Sequence, residues 1–572
     1  MAAGSCDLPE GPAYGKGTIT LILPKTRGQE AAAYNKAAVV SRSVLPDGFI
    51  GTLAYRLTLT GPGETQTLEA GGGGIAVSLD AGEWAIQAEA YDPAAPAVTV
   101  GTGSAVMTVI AGQNTSVRIP MKIDPAYEAG LTEIYIHTEE DLRRVGTDFA
   151  IDGTISFYLE QNIVLTRPWS PIGDDTAPFK AKFDGNGKKV TINSFTSASL
   201  SGEYIGLFAY TDGAEIKNLM VDCNLGTSGS PLALTGTGWI HAGVLTGYAD
   251  NGSLIENVSV SGSLYVSAAL NFGLYFGGIA GGNSNSSVIR SSHVRADLHA
   301  STEDLNVYIG GLAGENKSAG GSGGIIEKSS FAGTVFIRDD ESLSPPLTAT
   351  NVYAGGIVGD MYSGSISACW ASGTIDVWSY NGTVYAGGIA GGSSHIERCY
   401  AWTSILAEAD TNGTGSAYAG GIGGIIHTGT FSQCYALGDV TTRKLGAADC
   451  YSGGIAGNSY QGTIEYCAAL NDVTAGSSGY GYAIAGQQQL GCTFTGNYAA
   501  NDKTASPSNP PDPDLKGYNT FASTAFRGPT AGAAYDSTNL NWSFPNNWKF
   551  LSGYPYPVLP WQTSPPVDPA TL

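Results

Sequence analysis

A glycine-rich block recurs nine times between residues 204 and 486, and this repetition constrains the fold more than any other feature. The block reads Tyr-Ala-Gly-Gly-Ile-Ala-Gly from Tyr385, and the following copies begin at Tyr418 and Tyr451, so neighbours lie 33 residues apart. The remaining copies begin at Tyr204, His241, Tyr275, Tyr308, Tyr353 and Tyr480. A near-constant period of this length is typical of a solenoid, in which each repeat forms one coil.

The residue types indicate which solenoid it is. Ankyrin and tetratricopeptide repeats share this period but require helices, whereas this array is rich in glycine and β-branched residues. Leucine-rich repeats need a Leu and Asn frame that is absent here, and WD or kelch blades have longer periods. The sequence therefore predicts an all-β chain whose main part is a right-handed parallel β-helix. Many of its 80 glycines fall at fixed places in each coil, where bends and close backbone approach favour the absence of Cβ.

A second block follows the glycines by about a dozen residues and consists of Ile or Phe and then a polar residue. The polar members are, in chain order, Lys217, Glu256, Arg290, Glu327, Ser367, Glu397, Ser432 and Glu465. No two carboxylates adjoin, as expected for an outward row in a parallel sheet, where like charges directly opposite are destabilising. Two residues further on, four successive coils carry Cys369, Cys399, Cys434 and Cys467. Because parallel stacking places these side chains side by side, we predict packed free thiols rather than disulfides or a metal site.

The parts of the chain outside the array differ from it in pattern. Residues 7–124 alternate apolar and polar positions at 18–23, 53–59, 84–90 and 115–119, between Gly and Pro clusters, which predicts an antiparallel β-sandwich. This part of the chain resembles the immunoglobulin-like modules near the N-terminus of bacterial surface lipoproteins, which implies an immunoglobulin-like sandwich. Residues 125–200 are predicted to form the N-terminal cap and first coils, with a short helix at 138–146. Residues 201–500 form the repeat array, and the Pro-rich and Trp-rich residues 501–572 are predicted to be the C-terminal cap.

Residues 1–6 are interpreted as a trimmed or flexible start. Small residues precede Cys6, as at the end of a bacterial lipoprotein signal, where the cysteine becomes lipidated. A lipid on Cys6 would provide membrane anchoring. A chance cysteine in a flexible start is the alternative.

The charge balance narrows the choice of partners. The chain has 28 basic and 50 acidic residues, a net charge of −22. It lacks the basic stripe of a nucleic-acid-binding protein, and its acidity disfavours docking on anionic lipid. No apolar run is long enough for a membrane-spanning helix. We therefore expect no nucleic-acid partner.

The repeats resemble the GLUG-repeat proteins of bacterial cell surfaces. The likeness covers residues 131–562 and rests on the Gly-Gly-Ile-Ala-Gly block, the later Ile and Cys, the entry motifs at 169–173 and 179–187, and the closing Tyr-Pro-Val-Leu at 556–559. It implies a parallel β-helix in an exported surface or adhesin-type protein. In some relatives such repeats accompany an IgA-specific metallopeptidase domain, which needs a His-Glu-x-x-His motif that this sequence lacks.

The search for chemistry yields no catalytic residue, metal site or cofactor. None of the six histidines forms a zinc-type pair, and His241, which takes the place of the repeat's Tyr, is predicted to pack or stack. The sequence Asp-Gly-Asn-Gly at 184–187 favours a tight turn over a calcium loop. The longest coil carries an acidic insertion around Asp339, interpreted as a solvated loop or, alternatively, as one wall of a cleft.

Three aromatic residues, Trp370, Tyr400 and Tyr435, follow the ladder cysteines and are predicted to point outward. Such a row would bind sugar rings or a protein, or it would only stabilise the solenoid. The function expected from the sequence is a non-enzymatic, adhesin-like protein, extracellular or on the cell surface, and an outer-membrane lipoprotein if Cys6 is modified. Its partner would be a host protein or a glycan. The alternative is a carbohydrate-active β-helix enzyme, a lyase or glycoside hydrolase.

Overall fold

The computed structural model describes residues 16–24, 44–236, 238–269, 273–303, 306–318, 322–337, 351–379, 382–409, 415–444, 449–476, 479–489, 491–500, 502–506, 518–521, 540–544 and 546–566. The chain divides into two compact units, residues 1–137 and 138–572. The first is a β-sandwich and the second is a parallel β-helix, which confirms the predicted all-β fold.

Two sheets form the first unit. One has the strand order Ile75–Asp80, Lys16–Ile22 and Asn114–Arg118. The other has the order Gln66–Gly71, Ala54–Thr60, Gly82–Tyr91, Thr99–Val109 and Met121–Ile123. Short helices at Asp47–Ile50 and Pro125–Glu128 and a strand at Glu133–Ile136 complete the unit.

The sandwich core follows from the alternation seen in the sequence. In Ala54–Thr60 every second side chain is buried, including Leu57 and Leu59, and these pack in one cluster with Leu21 and Trp84. The indole N–H of Trp84 donates to the carbonyl of Asp80 at 2.8 Å, so this large buried ring has its polar atom satisfied.

Successive coils of the second unit contribute strands to four parallel sheets, which we number in chain order within a coil. Sheet 1 contains Tyr204–Ile205, Trp239–Gly243, Gly273–Gly277, Asn306–Gly310, Asn351–Gly355, Thr383–Gly387, Ala417–Gly420, Cys450–Gly453 and Tyr480–Tyr482. Sheet 2 contains Phe208–Asp212, Thr246–Asp250, Ala280–Ser284, Ala313–Lys317, Val358–Asp360, Ala390–Ser393, Gly423–Ile426, Ala456–Ser459 and Ala485–Gln488.

The other two sheets extend further along the unit. Sheet 3 includes Ser156–Leu159, Lys182–Asp184, Glu215–Lys217, Leu254–Glu256, Val288–Arg290, Ile325–Glu327, Ser365–Ser367, His395–Glu397, Gly429–Ser432, Gly462–Glu465 and Thr493–Thr495. Sheet 4 has the main path Ile163–Val164, Lys189–Ile192, Met220–Leu225, Ser259–Ala269, His293–Glu303, Ser330–Ile337, Trp370–Ser379, Tyr400–Ala409, Tyr435–Ala436, Ala468–Ala469, Asn497–Ala500 and Tyr518–Phe521. Beside that path lie Leu232–Leu234, Val440–Lys444, Val473–Thr474 and Ala505–Ser506.

The repeat blocks stack in register. Gly310 pairs with Gly355, and Gly355 pairs with Gly387, in parallel sheet 1. In sheet 3 Glu256 pairs with Arg290, and the guanidinium Nε of Arg290 lies 2.6 Å from Oε1 of Glu256. The predicted register of the glycine blocks and the predicted charge alternation along the outward row are both confirmed.

The cysteine row is confirmed as four buried free thiols, and it has a role beyond packing. The sulfur of Cys399 accepts from the backbone N–H of Cys369 at 3.4 Å and lies 3.3 Å from the carbonyl of Glu397, to which it donates. The residue before each ladder position adopts a left-handed backbone, with φ of 52° at Arg398. Ser292 and Ser329 take the same position in the two coils before Cys369, and the Ser329 hydroxyl accepts from the N–H of Ser292 at 3.1 Å. The row therefore supplies a hydrogen-bond acceptor to several of the turns between sheets 3 and 4.

The ends of the β-helix use different devices. A helix at Glu139–Arg143 starts the second unit with a capping box between Thr138 and Asp141, where the sequence predicted a helix. A second short helix lies at Ser197–Leu200. Near the C-terminus, an antiparallel pair, Lys549–Phe550 with Pro557–Val558, packs against the side of the coils.

Candidate functional site

A groove follows the corner between sheets 1 and 2, and its geometry depends on glycine. At Gly281 a Cβ atom would lie 2.5 Å from the backbone nitrogen of Ala242, and at Gly391 it would lie 2.5 Å from the backbone nitrogen of Ala354. The missing Cβ atoms let the two sheets approach closely, so that side chains from both sheets meet above the corner.

Nine stacked rings run along the sheet 1 side of this corner, and the first three of them, Tyr204, His241 and Tyr275, line the groove. His241 lies between Tyr204 and Tyr275, with ring centroids 5.5 and 4.7 Å away. Its ring is nearly parallel to that of Tyr275, with an interplanar angle of 14°. Tyr275 continues to Tyr308 at 4.6 Å, and the row runs on through Tyr353, Tyr385, Tyr418, Tyr451 and Tyr480. The predicted stacking of His241 is confirmed. We call these nine residues the open row, because all but His241 and Tyr275 are partly exposed.

The opposite wall belongs to sheet 2. Tyr210 and Tyr248 stack at 5.3 Å, and Gly282 follows them in the next coil, where a Cβ would overlap the Tyr248 ring. The next two coils carry Glu315 and Asp360, which are direct register partners. This pair of adjacent carboxylates differs from the outward row of sheet 3, in which no two carboxylates are neighbours.

Glu315 is the most deeply placed of these charges, with 2% of its surface exposed. Its Oε1 lies 3.2 Å from Nε2 of His241, and its Oε2 lies 2.6 Å from Nζ of Lys317. Burial alone would raise its pKa. The contacts with His241 and Lys317 outweigh burial and hold the pKa of Glu315 below its usual range, so the side chain is an anion at neutral pH.

Asp250 is the second buried carboxylate of the groove. Its Oδ2 accepts from the hydroxyl of Tyr210 at 2.7 Å, and its Oδ1 accepts from the amide of Asn285 at 2.7 Å. Burial and the nearby Asp250 carboxylate both raise the pKa of Tyr210, which keeps the phenol protonated and able to donate. Asn285 is oriented in turn by the hydroxyl of Ser318, which donates to its Oδ1 at 3.1 Å.

These groups surround a cleft of about 570 Å³ at the start of the groove. The cleft is lined by Glu203, Tyr204, Tyr210, Gly238, Trp239, His241, Tyr248, Asp250, Tyr275, Asn285, Glu315 and Lys317. Aromatic side chains and a few converging polar groups are typical of a ligand site. Within the described ranges, no group of three His, Cys, Asp or Glu residues is arranged to hold a metal ion.

The aromatic residues chosen from the sequence lie elsewhere. Trp370, Tyr400 and Tyr435 do stack, at 6.1 and 4.9 Å. Tyr400 and Tyr435 are nevertheless buried, because the C-terminal segment packs over them with Trp548 and Leu559. The expectation of an exposed aromatic row at this place is wrong, since a distant part of the chain covers it. We call these three residues the covered row.

Other residues singled out from the sequence lie outside the described residues. These are Cys6 and the insertion around Asp339. The Asp184–Gly187 segment forms a turn, in which the Asp184 carboxylate accepts from the backbone N–H of Asn186 at 2.8 Å. No helix in the described part of the chain is long and apolar enough to cross a membrane.

Sequence reasoning missed Trp239, Asp250 and Glu315. The available signal was a departure from the repeat. The block Ala-Gly-Gly of a neighbouring coil becomes Ala-Gly-Glu at Glu315, and the next coil places Asp360 beside it. Adjacent like charges in a stacked array are destabilising, so the presence of Glu315 beside Asp360 indicates a role other than stabilising the fold.

No family model and no curated protein matches this chain. Among solved structures, it is similar to a putative immunoglobulin A1 protease from Bacteroides ovatus at 14% identity and a TM-score of 0.27, covering 75% of this chain and 93% of that one. It is also similar to a structure named IgA1 protease, at 12% identity and a TM-score of 0.26, covering 79% of this chain and 29% of that one. The stacked parallel sheets define the second unit as a parallel β-helix.

One prediction from the sequence needs correction at this point. The chain was expected not to be an enzyme, and the names of the two similar structures, a putative immunoglobulin A1 protease and an IgA1 protease, contradict that expectation.

Proposed function

We propose that this chain is an exported bacterial surface protein that binds a saccharide in the cleft between sheets 1 and 2. The observation that carries the proposal is the convergence of aromatic side chains with oriented polar groups in one cleft of about 570 Å³. The surface location is supported by the resemblance of the repeats to GLUG-repeat proteins.

The chemistry of the lining suits a polyhydroxylated ring. Asp250 and Glu315 offer carboxylate oxygens, Asn285 offers an amide, and the tyrosines offer hydroxyls, so donors and acceptors both face the cleft. Aromatic rings present an apolar body with a polar edge, which matches the mixed surface of a sugar. Fixed hydrogen bonds hold Asp250 and Glu315 in place before any ligand arrives, which lowers the ordering cost of binding.

A glycan array followed by titration calorimetry tests this proposal. The unmodified protein is expected to bind at least one glycan class, and Trp239→Ala is expected to weaken that binding at least about tenfold, because it removes an aromatic wall of the cleft. Tyr460→Ala is the matched control, since Tyr460 is 49% exposed and lies in a distant coil. Absence of glycan binding, or equal loss in both variants, would contradict the proposal.

A second candidate is a carbohydrate-active enzyme using the same cleft. Two carboxylates, Asp250 and Glu315, line it together, and glycoside hydrolysis uses a carboxylate pair. Chromatography of each bound glycan after incubation distinguishes the candidates, because hydrolysis or elimination releases shorter products while simple binding leaves the chain length unchanged.

The route to the surface is a separate part of the proposal. A lipid on Cys6 would anchor the protein to a membrane. Metabolic labelling of expressing cells with a fatty-acid analogue should mark the full chain and fail to mark Cys6→Ser. Equal labelling of both would rule out this anchor.

A further inference from the structure

The cleft has a surplus of negative charge and of hydrogen-bond acceptors. Among its lining residues, Glu203, Asp250 and Glu315 carry carboxylates, and Lys317 carries the ammonium. Each ionised carboxylate offers about four acceptor sites and no donor. Asp250 uses two of these sites, toward Tyr210 and Asn285. The cleft is therefore matched to a ligand group that brings donors and positive charge.

The protein's own lysine shows how a cation is held there. Nζ of Lys317 lies 2.6 Å from Oε2 of Glu315 and 5.0 Å from the centre of the Tyr275 ring. This combines an ion pair with a cation–π contact, the arrangement by which proteins recognise ammonium groups. The site thus already stabilises an amine at one end of the cleft.

His241 adds an independent sign of a missing ligand group. This side chain is 8% exposed, lines the cleft, and has a buried Nδ1 without a hydrogen-bond partner. Because the Glu315 carboxylate can only accept, Nε2 of His241 must carry the proton of their 3.2 Å contact. The other ring nitrogen, Nδ1, is then a buried polar atom of the cleft lining that no protein group satisfies.

We propose that the saccharide bound by the cleft carries a protonated amine, so that the ligand class is an amino sugar with a free ammonium group. This inference rests on the proposed saccharide-binding function and names its ligand chemistry. The ammonium would approach Asp250 and Glu203 and donate hydrogen bonds to their carboxylate oxygens.

Calorimetry with paired oligosaccharides tests this inference. The probes are β-1,4-linked glucosamine oligomers and N-acetylglucosamine oligomers of equal length, which share a backbone but differ in the charge on nitrogen. The glucosamine series is expected to bind at least about tenfold more tightly, since hydrogen bonds to charged groups are the strong ones. Added salt should reduce this preference, because it screens the ion pairs.

Single substitutions in the cleft test which side chains cause the preference for the glucosamine series. Asp250→Asn and Glu203→Gln are expected to reduce the preference for the charged oligomer to a few-fold, because each removes a carboxylate and weakens binding of the glucosamine series more than binding of the acetylated series. Glu465→Gln is the matched control, because it removes the same charge from the outward row of sheet 3, away from the cleft. Equal effects of all three variants would point to overall charge and overturn the inference.

The outcomes separate this inference from the function on which it rests. Equal affinity for the two series, or binding only of neutral glycans, would overturn the amine inference and leave saccharide binding intact. Binding of spermidine without binding of any saccharide would show an ammonium site but overturn the proposed function. Binding of neither class would overturn both.

Discussion

The open row of sheet 1 and the covered row of sheet 4 are built in the same way but have different surroundings. Their rings stack at similar distances, for example 4.7 Å between Tyr353 and Tyr385 and 4.9 Å between Tyr400 and Tyr435. Tyr353 and Tyr385 are partly exposed beside carboxylates, whereas Tyr400 and Tyr435 are buried beneath residues from the C-terminal segment.

The difference shows that the register of the solenoid determines which rings stack. The register does not determine whether the stacked rings are exposed to solvent. In-register coils place equivalent residues one above the other, so any aromatic position that repeats will form a row. Whether the row is open to a ligand depends on what else in the chain folds over it. The covered row is held by direct hydrogen bonds, including that from the amide of Gln562 to the hydroxyl of Tyr400 at 2.6 Å.

The largest effect is expected from Trp548→Ala, which removes the centre of the cover. Trp548 is 0% exposed and packs against Trp542 at 4.8 Å and Tyr435 at 5.4 Å. Truncating a fully buried Trp costs about 3–5 kcal/mol through lost burial and the cavity left behind. The measurement is the free energy of unfolding of the β-helix in urea.

Trp239→Ala is the control for that prediction, because it makes the same change beside the open row. Trp239 is partly exposed, so the loss of stability should be at most about half as large. We expect the two variants to separate, Trp548→Ala losing stability but not saccharide binding, and Trp239→Ala losing binding. If both lose the same property, the distinction between the rows fails.

Glu315→Gln is expected to cause the next largest loss of stability. It tests the buried carboxylate that lies beside the open row and has no counterpart among the described residues around the covered row. The amide cannot replace the anion facing His241 and Lys317, and hydrogen bonds to charged groups contribute about 1.5–3 kcal/mol. We therefore expect a loss of about 2 kcal/mol at neutral pH.

The same variant makes a pH prediction with a definite sign. The pKa of Glu315 is lowered from 4.5 in the folded protein, so its stabilising contribution is present above pH 4.5 and is lost as the pH falls through the folded value. The stability difference between the unmodified protein and Glu315→Gln should shrink on acidification below pH 4.5. A difference that stays constant across that range would contradict the assigned ion pairs.

A smaller and more selective effect is expected from removing one hydroxyl in each row. Tyr400→Phe leaves the buried amide of Gln562 without its acceptor, at a cost of about 1–2 kcal/mol. Tyr385→Phe makes the same change at a partly exposed ring of the open row, and it should cost less than about 0.5 kcal/mol. Thermal unfolding of the two variants side by side provides the comparison, and equal losses would show that the cover contributes nothing through this contact.

The sequence predicted what repeats and missed what occurs once. The period located the glycine blocks, the Ile–polar row and the cysteines, because each coil must satisfy the same backbone geometry. The cover over Tyr400 depends on contacts between residues 162 positions apart, and no periodic pattern encodes them. The β-helix was therefore predictable, and the exposure of its aromatic rows was not.

The cleft was missed for a related reason. Asp250 and Glu315 belong to different coils, and each alone is only an irregularity in its repeat. They become a site because sheets 1 and 2 meet at a glycine-lined corner, where His241 reaches Glu315 from two coils away. Such a site can be sought in other arrays by stacking the repeats and looking for adjacent like charges, as between Glu315 and Asp360.

The smallest loss of stability is expected from Tyr362→Ala. This variant removes an exposed aromatic ring that belongs to neither row and is not covered by another part of the chain. Tyr362 is 70% exposed, and its ring lies 5.3 Å from that of His427 at the edge of the groove. An exposed substitution of this kind usually changes the free energy of unfolding by no more than about 0.5 kcal/mol. The free energy of unfolding in urea is measured for this variant and for Trp548→Ala together. Both variants delete an aromatic side chain, and they differ in how deeply that side chain is buried. A loss above about 1 kcal/mol for Tyr362→Ala would mean that the contact with His427 stabilises the groove on its own, and exposure would then no longer account for the difference between the rows.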